Sequence, residues 1–211
     1  MPDQPKPKII SAAVEGVMDE VVLRSLIHHV GAQPGGFYGK HGKQYLLKYM
    51  QAYVRAARLE PWVVMIDLDH DADCPIPVRR NWLLRGGAHE QNIPLLCFRI
   101  AIREVESWLL ADRERIAEFL GVPPRWVTNE PEALDDPKGA IISLVARSRL
   151  KRLKSEMLPR PGSFRNVGPA YNSRLIQFVM NRRDGWRPEV AAHSSESLRR
   201  AIACLRRLAA M

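Results

Sequence analysis

Residues 62–69 read WVVMIDLD. Five apolar residues, Trp62 to Ile66, run into Asp67, and Asp69 follows two positions later. A short run rich in β-branched residues, with no polar alternation, reads as a strand buried on both faces. Two other stretches share the pattern. Residues 8–14, KIISAAV, form a buried run that stops at Glu15-Gly16. Residues 93–102, IPLLCFRIAI, form another, followed by Glu104 and Glu106.

Helical periodicity fills the gaps. Residues 17–29 carry Val22 and Leu26 on one stripe with Val30. Residues 43–57 turn Leu46, Leu47, Met50 and Val54 inward, and residues 104–119 do the same with Val105, Trp108, Leu109, Ile116 and Phe119. Residues 78–84 suit a short helix. Residues 31–42 are rich in glycine and hold Pro34, so they read as loop, with at most a short strand near Phe37-Tyr38. Strand and helix thus alternate over the first 120 residues. This predicts an α/β fold with a mainly parallel sheet flanked by helices.

Beyond residue 120 the pattern changes. Pro123-Pro124 and the acidic stretch NEPEALDDP read as a linker-like surface segment. Helices are expected at about 137–150, 172–181 and 195–209. The expected organisation is therefore an α/β core over 1–120 and a helical, basic C-terminal extension over 121–211 packed on it. In the last helix Leu198, Ile202, Leu205 and Leu208 share a face, and Ser194 is the expected N-cap.

Composition narrows the class. The chain has 211 residues and 46% hydrophobic content, enough for a core without disulfides. Cys74, Cys97 and Cys204 lie far apart, and an odd count with no CxxC spacing argues against a disulfide framework and for a reducing cytoplasm. No apolar run reaches membrane-span length, so no membrane association is expected. Residues 1–146 carry 17 basic and 19 acidic residues, and residues 147–211 carry 15 and 4, within a net charge of +9. Acid in front and base behind suit metal-dependent chemistry on a polyanion; the plainer reading is a solvated basic face.

The acids gather where such a sheet places ligands, at the carboxyl ends of strands. Glu15 ends the first, Asp67 and Asp69 end the second with Asp71 and Asp73 behind them, and Glu104 and Glu106 follow the third. Side chains two apart on an extended segment point the same way, so Asp67 and Asp69 can face one hard cation. Each acid also has a bland reading. Aspartates end strands in turns, and Glu15, Glu104 and Glu106 can serve as helix-start dipole partners. Lys138 is a helix-start lysine or a phosphate contact. His70, among four acids, is a metal ligand or, on the plainer reading, a solvated loop residue, and His28-His29 read as helix-end or partly buried. Arg199, Arg200, Arg206 and Arg207 form two seven-spaced pairs, a solvated face or a phosphate-facing one. Gly35-Gly36 lacks the Lys-Ser/Thr of a phosphate loop, which excludes triphosphate binding there.

VEGVMDE at 14–20, followed by VVMIDLD at 63–69, resembles the Toprim fold of primases, topoisomerases and the overcoming-lysogenization-defect nucleases. The stretches RIAIREVESWLLADRERIAEFLGV, PEALDDPKGAI, GPAYNSRLIQFV and SSESLRRAIACLRRL are similar to a bacterial Toprim-like family carried as a domain of unknown function, whose members tend to be encoded beside ATPases of anti-phage defence. The resemblance implies a nuclease using Mg²⁺ (or Mn²⁺). Glu15 would be its acid or base, Asp67 and Asp69 its principal metal ligands, and Glu15, Asp19 and Glu104 further members of the metal-binding set. Glu104 and Glu106 would be site residues and Lys138 the candidate catalytic lysine. It implies nucleic acid as a partner, DNA or RNA with tRNA among the candidates, contacted by Arg165, Arg199, Arg200, Arg206 and Arg207. An AAA- or ABC-type ATPase is the other implied partner. A non-catalytic binding module with the same fold and a nucleotidyl transferase are the competing readings.

Overall fold

The computed structural model describes residues 6–70, 72, 74–89 and 92–211. Asp71 and Asp73 lie outside the described residues. The chain divides into two units, Met1–Ile100 with Arg199–Met211, and Ala101–Leu198. The division falls at residue 100 rather than 120, and the last 13 residues belong with the first unit.

The first unit is built on a four-stranded, all-parallel sheet in the order β2-β1-β3-β4. Its strands are β1 (Ile9–Val14), β2 (Gln33–Gly39), β3 (Trp62–Asp67) and β4 (Leu96–Ala101). The α/β class is therefore as expected. Interior β1 and β3 pair in register from Ser11↔Trp62 to Val14↔Met65, and Ala12, Ala13, Val14, Val64, Met65 and Ile66 are buried, as continuous apolar runs require. The crossover helices are α1 (Val17–His29), α2 (Lys43–Ala56) and α3 (Pro75–Arg85), which bury Leu23 and Leu26, Leu46 and Met50, and Trp82 and Leu83 against the sheet.

The segment 31–42 corrects the loop reading. Gln33–Gly39 is a full strand despite Pro34, Gly35 and Gly36. It lies at an edge and its register shifts between Ile10 and Ala12, and an edge strand with a bulge tolerates a proline that a central strand does not. Glycine is required at its end. Gly39 has φ +91°, and a Cβ there would run into the Val14 carbonyl and the Leu46 side chain.

The second unit is helical, comprising α4 (Glu106–Leu110), α5 (Arg113–Leu120), α6 (Pro137–Ala146), α7 (Lys151–Met157), α8 (Tyr171–Met180) and α9 (Pro188–Ala191). The single helix expected at 104–119 is thus two. The break is Asp112, fully buried, whose carboxylate accepts from the Arg187 main-chain N–H and from its guanidinium at 2.6–3.0 Å. The helix expected at 137–150 is α6, which stops at Ala146, and α7 beyond it was not expected.

The last helix, α10 (Glu196–Ala209), buries Leu198, Ile202, Leu205 and Leu208 as expected. Its cap is Ser195 rather than Ser194, the Ser195 hydroxyl accepting from Leu198 N–H at 3.2 Å. Glu132, in the acidic segment read as a linker, accepts from the main-chain N–H groups of Glu196 and Ser197, placing a carboxylate at the positive end of the helix. The cysteines also depart from expectation: Cys97 on β4 and Cys204 on α10, both buried, form a disulfide with Cα atoms 6.1 Å apart. Among the described residues no helix is long and apolar enough to cross a membrane.

Candidate acidic site

Glu15 leaves β1 just as the chain turns into α1. Neighbouring main chain fixes it: Lys40 N–H donates to the Val14 carbonyl at 2.8 Å and Gly42 N–H to the Glu15 carbonyl at 3.1 Å. Its carboxylate does not cap α1. That duty falls to Asp19, buried, whose Oδ2 accepts from Gly16 N–H at 2.7 Å. Glu15 Oε1 instead accepts from the main-chain N–H of Asp67 at 2.9 Å, joining the carboxyl ends of β1 and β3 across 52 residues of sequence. Burial pushes the Glu15 carboxyl up from its ordinary 4.5 to about 7; the Asp67 N–H and Lys43 pull it down, and the charges of Asp19 and Asp69 add to the rise.

Asp67 ends β3, and Asp69 follows with a left-handed backbone, φ +51°. Lys40, just after β2, is also left-handed at φ +67°. An L side chain in this region costs about 1 kcal/mol, and aspartate is among the residues that tolerate it best. The strain sits at the carboxyl ends of two neighbouring crossovers, where this fold class places ligands.

Lys43, in the first turn of α2, sets its Nζ 2.6 Å from Asp69 Oδ2. Sequence reasoning missed this lysine. It depends on β2 being a strand, since only then does residue 43 open a helix from a strand end. Glu15, Asp67, Asp69, Asp19 and Lys43 are thereby gathered in one part of the first unit, while His70 is exposed. The donors are all hard oxygens, the type Mg²⁺ takes. Among the described residues no group of three or more His, Cys, Asp or Glu side chains stands as a metal-holding set. Mg²⁺ is commonly held by one or two carboxylates and completes its shell with water and substrate phosphate, so a pair drawn from Asp67, Asp69 and Glu15 meets its donor chemistry.

The other predicted residues gather in the second unit. Glu104 takes both donors of one lysine, Lys138 Nζ at 2.6 Å and Lys138 N–H at 3.2 Å, at the start of α6. Glu106 is 4% exposed; the Tyr171 hydroxyl donates to its Oε1 at 3.3 Å, and Lys138 Nζ lies 3.8 Å away. Tyr171 was not anticipated, although it stands in the GPAYNS stretch. Burial, then the charges of Glu106 and Glu104, raise its phenol well above the ordinary range. Asp136 caps α6 through Gly139 N–H at 2.7 Å.

The arginines separate. Arg165 lies in an exposed segment where its main-chain N–H donates to the Ser163 hydroxyl. On α10, Arg200 and Arg207 share a line with Cys204, whereas Arg199 and Arg206 occupy the opposite shoulder of the buried face. No family model, no curated protein and no solved structure matches this chain.

Proposed function

We propose that the chain is a Toprim-type, Mg²⁺-dependent nuclease that hydrolyses phosphodiester bonds of DNA or RNA, and that it serves as effector of an ATPase-linked anti-phage system. The reading is supported by strand-end carboxylates on a parallel sheet, and one observation carries it. The Glu15 carboxyl is held by the Asp67 main-chain N–H with its pKa raised to about 7. A carboxyl titrating near neutrality is present in both forms, so it can take a proton from an attacking water and return one to a leaving oxygen.

Asp67 and Asp69 are the residues that would hold the cation, with Glu15 beside them as the proton-transfer group. When bound, Mg²⁺ supplies charge stabilisation at a phosphoryl oxygen and acidifies a bound water. The chain's own groups do the rest. The Asp67 N–H keeps Glu15 aimed at the strand ends. Lys43, paired with Asp69, carries a positive charge that a phosphate can recruit. Glu104, Glu106 and Lys138 enter the proposal as a second acid–lysine group, and the arginines of α10 with Arg165 as phosphate contacts.

Cleavage of plasmid DNA, single strands or tRNA is expected to require Mg²⁺ or Mn²⁺ and to vanish in Asp67→Ala. Metal-replete assays on all three substrates with no turnover would sink the proposal. The 2.6 Å Lys43–Asp69 contact favours a second reading, in which the site is neutralised internally and the protein is a nucleic-acid- or ATPase-binding module. In that case filter binding or co-purification survives Asp67→Ala.

A further inference from the structure

The helix α2 buries Leu46, Met50, Tyr53 and Val54 against the sheet. Beside that face runs a row of rings. His41, just before the helix, meets Tyr45 edge-on with ring centroids 4.9 Å apart, and Tyr45 meets Tyr49 at 4.6 Å. Tyr53, four residues further, continues the spacing but not the role. Each step of four residues turns about 40° round a helix, which carries the row from solvent into the core. Tyr53 is buried and stacks on Trp62, which stacks in turn on Tyr38 of β2. Tyr45 and Tyr49 keep 36% and 38% of their surface exposed, and the core is filled without them.

Charge runs alongside the rings. Residues 40–58 hold Lys40, Lys43, Lys48, Arg55 and Arg58 and no acid. Lys48 and Arg55, both exposed and seven apart, follow the side of the row that faces away from the core. Lys48 sets its Nζ 5.5 Å from the centre of the Tyr49 ring. Exposed Ala52 falls between rings and cations, and a methyl obstructs neither. Rings in a row beside a line of positive charge match a single nucleic-acid strand, whose bases stack on aromatic faces while its phosphates follow the cations.

Position gives the row a direction. His41 is followed by Gly42, whose N–H donates to the Glu15 carbonyl, and by Lys43, whose Nζ holds Asp69. The rings therefore begin beside the acidic site and lead away from it along α2, Tyr49 standing about 6 Å beyond Tyr45.

We infer that His41, Tyr45 and Tyr49, with Lys48 and Arg55, form a stacking platform for single-stranded nucleic acid that leads the strand to the acidic site. That the strand is led there for cleavage rests on the nuclease reading; the platform is a binding surface, and its test needs no turnover.

Binding is measured by fluorescence anisotropy in EDTA, which prevents metal-dependent cleavage, with labelled strands of about 8 nucleotides. The strands are oligodeoxythymidine, oligouridine, an abasic strand of equal charge, and a duplex. The tighter-bound of the two single strands names the sugar, and it is expected to bind about ten-fold more tightly than the abasic strand. Tyr45→Leu and Tyr49→Leu keep apolar bulk but lose the π face. Each is expected to weaken single-strand binding about ten-fold and leave abasic and duplex binding unchanged. Tyr45→Phe and Tyr49→Phe are expected to bind like the parent, and Lys48→Gln to weaken the single and abasic strands alike. Asp67→Ala is expected to bind no more weakly than the parent. A protein that binds in this pattern but never cleaves keeps the platform and loses the nuclease reading. One that cleaves, with both leucine variants binding like the parent, keeps the nuclease reading and loses the platform. The inference is also overturned if the abasic strand binds as tightly as both single strands. It is overturned, too, if the parent sediments as a dimer that the leucine variants dissolve, which would make this face a contact between two copies of the chain.

Discussion

Two acid–lysine groups of nearly the same composition stand in the two units, and they spend their charge differently. In the second unit Glu104 is matched twice by Lys138, and buried Glu106 is covered by the Tyr171 hydroxyl and the same lysine. These bonds fasten the start of α6 and the side of α8. In the first unit Glu15 leans on a main-chain N–H and keeps a proton affinity near neutrality, and Asp69 stands on a left-handed backbone with its carboxylate half-exposed. Both groups hold a lysine–carboxylate pair at 2.6 Å, so the contrast lies in Glu106, buried under a phenol, against Glu15, whose carboxyl keeps a proton affinity near neutrality. The proposed chemistry is set on Glu15 for that reason.

Several substitutions can break this contrast. The largest effect is expected from Asp67→Ala, which should lower metal-dependent cleavage by at least about 100-fold in a plasmid or tRNA assay while the far-ultraviolet spectrum stays unchanged. Persistent cleavage in that variant, with loss in Glu106→Gln, would reverse the roles of the two groups.

Glu106→Ala comes next. It leaves the buried Tyr171 hydroxyl without this acceptor and removes the buried charge 3.8 Å from Lys138, which keeps Glu104, and should cost about 2–3 kcal/mol in urea unfolding. A loss below about 0.5 kcal/mol would show that this group is not structural.

Glu15→Gln should act in the opposite direction. A carboxyl raised from 4.5 to about 7 in the folded chain supports folding while protonated and loses that contribution as pH rises through about 7. The always-neutral glutamine should therefore match the parent near pH 4 and exceed it at pH 8. The gain is on the order of 1–2 kcal/mol after allowance for partial exposure, read from melting temperatures across pH. Equal stability at both pH values would remove the raised carboxyl and its chemistry with it.

The smallest stability effect belongs to Lys43→Met. Its partner Asp69 is 45% exposed, so unfolding should change by less than about 1 kcal/mol. Cleavage should nonetheless fall if the lysine recruits phosphate, and this split between stability and activity sharpens the contrast.

Much of this was legible in the chain. β1 and β3 announce themselves as unbroken apolar runs, and their ends name Glu15, Asp67 and Asp69 directly. What stayed hidden depended on partners distant in sequence. Pro34-Gly35-Gly36 carries loop chemistry, and only its edge position makes it a strand. With β2 unread, Lys43 had no strand end to belong to. The break at Asp112 is imposed by Arg187, 75 residues away, which local periodicity does not register. The odd cysteine count argued against pairing, yet Cys97 and Cys204 meet because β4 and α10 do. Even the correct acids did not reveal that Glu15 would be held by the main chain of Asp67 rather than by its side chain.

The helical unit is an insertion: it leaves the first unit at Ile100 and rejoins it at Arg199. Residues 199–211, which supply the partner of Cys97 and the anchors on Pro94 and Leu96, emerge from the ribosome only after the whole insertion has been made. The edge of the sheet at β4 is therefore finished late, whatever the speed at which β1 to β3 assemble. A shortened chain ending at residue 198 would leave that edge bare, so its failure would report an unfinished sheet and not the loss of a basic surface.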